Sequence, residues 1–118
     1  MKLDDNDPVK MYVRELANVQ PLTNEEETLL FLKAGKQGEL GEVAKRRLIE
    51  SNLHLVLPIA EQHASSGLSM LDLIQEGNLG LMRAIDSFPE THPDNFSAYA
   101  TACIEDAISE AITRSTSK

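Results

Sequence analysis

Three histidines, His54, His63 and His92, and a single cysteine, Cys103, are the side chains best suited to nucleophilic or metal chemistry in this sequence. No two histidines stand three or four residues apart, the spacing that aims two rings from one helix face at a metal. Cys103 has no second cysteine with which to form a disulfide or a thiolate cage. No serine or cysteine sits where it reads as a nucleophile beside its base. No glycine-rich loop follows a strand to cradle phosphate. The carboxylates fall in helix caps, connectors or outward faces. The residue types therefore speak against an enzyme, a metal centre and a cofactor site.

Two stretches carry binding chemistry instead. In "LDLIQEGNLGLM", Asp72, Gln75, Glu76 and Asn78 must point mostly outward, while Leu71, Ile74, Leu79 and Met82 are expected to face inward. Gly77 and Gly80 bracket this polar cluster and imply close approach of another backbone. In "NFSAYATACIEDAISEAI", Phe96, Ala100, Cys103, Ile104, Ala107, Ile108 and Ala111 recur at helical steps and form one apolar stripe. The opposite face, Ala98, Ala102, Glu105, Asp106 and Ser109, is acidic and holds no Lys or Arg. Cys103 reads as a structural thiol on the stripe.

The elements that must position these stretches all read as helices. Asp7 caps and Pro8 opens the first, with Val9, Tyr12, Val13 and Leu16 at helical spacing. Thr23 and Glu26 form a capping box for a second, which stops at Gly35. A third turns Val43, Leu48 and Ile49 inward, and Asn52 breaks or recaps it. The pattern then resumes through Leu53, Val56, Ile59 and Ala60, with Pro58 expected to bend it near His54. Ser69 and Asp72 resemble a second capping box. A break is expected at Gly77, with a fresh start capped by Asn78. "PETHPDN" is a polar connector, Asn95 caps the last helix, and "TRSTSK" is expected to fray.

Composition agrees with helices packed on aliphatic side chains. There is no Trp, and the aromatic residues amount to two Tyr and three Phe. A formal net charge of −8 argues against tight phosphate binding by the whole surface. The one basic run, Lys45 to Arg47, reads as a solvated helix face. No stretch reaches the ~18 apolar residues of a membrane span. The opening "MKLDDNDPVK" lacks the apolar run of a secretory signal, so a cytoplasmic location without membrane contact is expected.

"SGLSMLDLIQEGNLGLMRAIDSF", with "AKRRLIESNLHLV" before it and "FSAYAT" after it, resembles bacterial sigma-70 family transcription initiation factors. The resemblance reaches back through "PLTNEEE" to "DPVKMYVRE" and covers Asp7 to Arg114. It matches the family's regions one-point-two and two only. It implies one all-α domain over residues 1–118, with a region one-point-two-like helical pair at 7–35 and a region two-like bundle at 39–114. It also implies docking on core RNA polymerase, on the clamp helices of the largest subunit, through Leu71, Asp72, Gln75, Glu76, Asn78 and Met82.

The family's second task is capture of single-stranded promoter DNA by the last helix. Here the chain departs from the family. The paired tryptophans fall at Ala102 and Cys103. Basic positions become Asn95, Glu105 and Glu110, and the polar base-reading pair becomes Asp106 and Ser109. Connector arginines fall at Thr91 and His92. Earlier in the chain, His54 stands for an Arg and Glu61 for a Lys. Tyr99 and Phe88 match aromatic positions that hold a flipped adenine, and Glu27, Asn52, Leu55 and Ser97 match a second base pocket. Phe88, Leu55 and Phe96 also suit plain core packing.

Three functions fit this pattern. One is a polymerase-docking protein with impaired promoter melting, promoter DNA being weakly bound or not bound, which regulates or competes with other sigma factors. Another is an active initiation factor at an atypical promoter. The third is a repurposed interaction module with another regulatory protein as partner.

Overall fold

The computed structural model of the protein describes residues 8–91 and 95–116. Among them six α-helices and one 3₁₀ turn follow in order: α1 (Pro8–Ala17), α2 (Asn24–Ala34), α3 (Glu39–Asn52), the turn Leu53–Leu55, α4 (Val56–Gln62), α5 (Met70–Thr91) and α6 (Phe96–Thr116). No strand occurs among the described residues, as an all-α chain requires. Asp7, His92 and most of the "PETHPDN" connector's second half lie outside them.

Local chemistry starts and stops these helices. Thr23 Oγ1 accepts from the Glu26 N–H, and the Glu26 carboxylate accepts from the Thr23 N–H, so the capping box of α2 is closed in both directions. Ser69 Oγ accepts from the Asp72 N–H at 3.0 Å at the start of α5. Asn95 Oδ1 accepts from the Ala98 N–H at 3.2 Å and opens α6. The break after α3 falls where Asn52 and Pro58 foretell it. Asn52 does not recap the chain, because its Nδ2 is buried and donates back to the Leu48 carbonyl at 2.8 Å. Pro58 occupies the first turn of α4, where a missing N–H leaves no helical bond unmade.

The core joins all the long helices. Leu48 of α3, Val56 of α4, Leu73 and Leu81 of α5, and Ile104 and Ile108 of α6 are its largest fully buried side chains. Each stabilises the fold by roughly 1.5–3 kcal/mol relative to exposure. The α5–α6 pair forms the most extensive helix contact. There α6 buries Phe96, Ala100, Ile104, Ala107, Ile108 and Ala111, while Cys103 is only half-buried. No described helix is long and apolar enough to cross a membrane.

Several expectations are corrected. α5 does not break at Gly77 but runs unbroken from Met70 to Thr91. A glycine weakens a helix without removing a hydrogen bond, and here α6 packs onto the glycines. A Cβ on Gly80 would lie 2.7 Å from the Cys103 carbonyl oxygen and 2.9 Å from the Ile104 Cα. The glycines thus mark close approach of α6, and Asn78 lies mid-helix rather than at a cap. α5 also continues through Pro89 into the expected connector, held by buried Phe88 one residue earlier. α6 extends to Thr116, taking in most of "TRSTSK", with the Thr116 hydroxyl donating to the Ile112 carbonyl at 3.2 Å. In α3, Val43 is 51% exposed and Ala44 turns inward in its place. In α5, Leu71, Leu79 and Met82 point outward, and Leu73 and Leu81 take their place in the core.

Candidate functional site

Two faces of the α5–α6 pair hold the candidate residues. On α5 the outward positions Asp72, Gln75, Leu79 and Met82 follow one another at steps of three and four residues, and Leu71 adjoins Asp72. Leu71, Leu79 and Met82 are 41%, 46% and 45% exposed, and Asp72 and Gln75 are exposed beside them. Glu76 and Asn78 are half-buried at the edges of this stripe. Glu76 accepts from Arg114 Nη2 of α6 at 3.3 Å. Asn78 Oδ1 accepts from the Tyr12 hydroxyl of α1 at 3.5 Å, a long bond. Burial raises the Tyr12 hydroxyl above its ordinary value, and the Asn78 contact partly offsets this. The result is a rigid helix presenting amide and acidic groups among large apolar side chains, a surface suited to a basic helical partner. Leu79 belongs to it, although its apolar character alone had suggested the core. The 75–79–82 spacing is the signal that places it with Gln75 and Met82.

The second face lies on α6. Ala98, Ala102, Asp106, Ser109 and Glu110 are exposed, and Glu105 is half-buried. His63, at the end of α4, brings its Nε2 to 2.6 Å from Glu105 Oε1. Glu110 lies 3.8 Å from Arg83 of α5, both largely exposed. No described side chain on this face offers a broad aromatic surface. Stacking of an unpaired base, worth ~1–3 kcal/mol, has nothing to rest on at Ala102.

Beside this face, Glu27, Asn95 and Ser97 rim a hollow of about 410 Å³ whose wall is Phe31, Phe88 and Phe96. The three rings pack with centroids 5.1–5.2 Å apart. Tyr99 leans on Phe88 at 5.7 Å, and its hydroxyl shares a hydrogen bond with Ser87. Glu27, Phe88 and Ser97 therefore come together. Asn52, buried and bonded to Leu48, and half-buried Leu55 do not line the hollow. Among the described residues no three His, Cys, Asp or Glu side chains converge to hold a metal ion.

Comparison with known proteins bears on both faces. Residues 48–118 match the family Sigma-70 region 2. This chain belongs to the sigma-70 family. The RNA polymerase sigma factor SigA of Lactococcus lactis subsp. cremoris is 46% identical over 107 residues, covering 91% of this chain and 29% of the relative. The SigA of Listeria monocytogenes is 47% identical over 108 residues, covering 91% of this chain and 28% of the relative. The chain thus spans under a third of the length of these curated relatives. The sigma-70 region 2 match begins at Leu48, so it takes in the end of α3, all of α4, and both faces of the α5–α6 pair.

Proposed function

We propose that this sigma-70 region 2 chain is a non-enzymatic transcription protein that docks on core RNA polymerase and does not itself open a promoter. In this reading it regulates, or competes with, complete sigma factors. The observation that carries it is the α5 stripe: Leu71, Asp72, Gln75, Leu79 and Met82 stand exposed on one helix face among the described residues. Exposed leucine and methionine beside Gln and Asp suit burial against a partner's basic helices, the clamp helices of the polymerase's largest subunit.

The α6 face supports the second half of the proposal. Promoter melting needs stacking surface and cationic phosphate contacts, and this face offers Ala102, Asp106, Ser109 and Glu110. Glu105 is engaged by His63 and cannot turn to a strand without losing that partner. The aromatic hollow beside Glu27 and Ser97 favours a second reading, in which one unstacked base is still held when polymerase supplies the remaining contacts.

Pull-down with purified core polymerase tests the docking. The parent is expected to be retained. A Gln75→Ala, Glu76→Lys variant is expected to be retained at least about tenfold less, the loss of two contacts at a buried interface. Its melting temperature should fall only slightly, because Gln75 is exposed and Arg114, the partner of half-buried Glu76, is largely exposed. Equal retention of parent and variant would remove the α5 face as the docking site.

A further inference from the structure

Helix α2 carries an unbroken apolar run, Leu29–Leu30–Phe31–Leu32, which one helix face cannot bury. Leu30 and Phe31 pack against the core. Leu29 is 50% exposed and Leu32 is 68% exposed, the most open of the large apolar side chains described. Glu25 precedes Leu29 by four residues, and Lys36 follows Leu32 by four. The positions 25, 29 and 32 step by four and three, the spacing of a coiled-coil seam, which sets them on one stripe of α2, and Lys36 stands four residues on, just past the helix end. All four are exposed. Gly35 caps α2 with right-handed backbone (φ −73°, ψ −9°), and Lys36 is the first residue past the cap, its N–H donating to the Lys33 carbonyl at 3.0 Å. Neither Glu25 nor Lys36 is in an ion pair among the described residues.

This stripe is complementary to itself when turned end for end. A two-fold axis between residues 30 and 31 lays Leu29 on Leu32 of another copy and Glu25 on Lys36. A closed dimer needs such a self-complementary patch. Glu25 and Lys36, at mirrored places about that axis, add charge complementarity to the apolar pair. We propose that α2 is a self-association face: two copies of this chain pair antiparallel through Leu29 and Leu32, with Glu25–Lys36 pairs closing both ends. The proposal stands apart from polymerase docking, since it uses neither α5 nor α6. An interface of one short helix per copy falls below the ~800 Å² per partner of a standard complex, so the dimer is weak and forms only as concentration rises.

Sedimentation of the full 118-residue chain from about 10 μM to about 1 mM tests the pairing, the range where weak association is read. The parent mass is expected to climb from monomer toward dimer. Leu29→Gln, Leu32→Gln is expected to stay monomeric with an unchanged thermal melt, since both side chains are exposed in the monomer. Glu25→Lys alone and Lys36→Glu alone should each weaken the dimer about fivefold, the scale of two exposed ion pairs. Mixing those two single variants should restore association, because each then supplies the charge the other lacks. A parent monomeric throughout, a dimer that survives the leucine substitutions, or a mixture no better than its parts would each overturn the proposal. A monomeric parent whose polymerase retention falls with the leucine variant would assign α2 to polymerase instead, and would overturn it as well.

Discussion

Gly80 shows how a single absent side chain sets the spacing of the two functional helices. In an isolated helix, alanine would be favoured over glycine by about 1 kcal/mol. Here the added Cβ would meet the Cys103 carbonyl oxygen at 2.7 Å and the Ala107 Cβ at 2.9 Å. Two of its three nearest neighbours are backbone atoms, which cannot swing aside as a side-chain tip can. Overpacking of a tight core costs about 1–3 kcal/mol, which exceeds the propensity gain. Gly80→Ala is therefore expected to destabilise the protein by about 1–2 kcal/mol. Urea unfolding followed by circular dichroism measures this, and a more stable variant would show that α6 can retreat. At Gly77 the nearest atom is closer still, the Cγ1 of fully buried, β-branched Val56 at 2.6 Å, so the same substitution there is also expected to cost stability.

At the scale of one element, α2 depends on its first turn. It buries no residue fully, so its start signal matters more than it would for a core helix. The Thr23 backbone N–H, and then its side chain, hold the exposed Glu26 carboxyl below the ordinary carboxylate value, with Arg47 a minor help. A carboxyl lowered in the folded state adds stability above its unfolded value, and that stability is lost as pH falls through the folded value. Thr23→Ala is expected to lower stability by about 1 kcal/mol near neutral pH. The gap between parent and variant should narrow as pH falls through the lowered Glu26 value, where the carboxyl takes up a proton and the Thr23 side-chain share of the effect is lost. Thermal melts of both chains between about pH 3 and 7 read this directly. A gap independent of pH would mean that the Thr23 side chain does nothing for the charged Glu26 carboxyl, the backbone N–H being kept in the variant.

For the whole molecule, charge decides what α6 can approach. The chain carries a formal net charge of −8, and the α6 face, which the proposed reading treats as a lost melting surface, exposes Asp106 and Glu110. Each missing phosphate contact removes counterion release, and the carboxylates add repulsion that salt only partly screens. With core polymerase, the parent is therefore expected to leave a standard promoter closed in a permanganate footprint of unpaired thymines. The matching gain-of-function chain carries Ala102→Trp, Cys103→Trp, Glu105→Arg, Asp106→Gln and Glu110→Arg. Glu105→Arg also removes the 2.6 Å contact between Glu105 and His63. Single-strand binding by the regrafted chain alone would trace the loss to this face. Promoter opening by the parent would refute the impaired reading.

The sequence by itself determined what depends on neighbours a few residues away. The Thr23–Glu26 box, the Asn95 cap and the apolar stripe of α6 are all set within one or two helical turns, and each is present in the fold. Its family strings also located both candidate faces by residue. The tertiary structure alone decided which of the two apolar stripes on α5 went inside. Leu73 and Leu81 lie on one, Leu71, Leu79 and Met82 on the other, and helical periodicity reads both alike. Only α6, packed on Gly77 and Gly80, selects the first and leaves the second for a partner. The same holds for His63 and Glu105, which meet across 42 positions of chain, and for Asn52, drawn into the core away from the hollow that Glu27 and Ser97 share. Periodicity and capping are short-range properties of the chain. Burial and pairing are decided by elements brought together from far along it, and local sequence carries no record of which neighbour arrives.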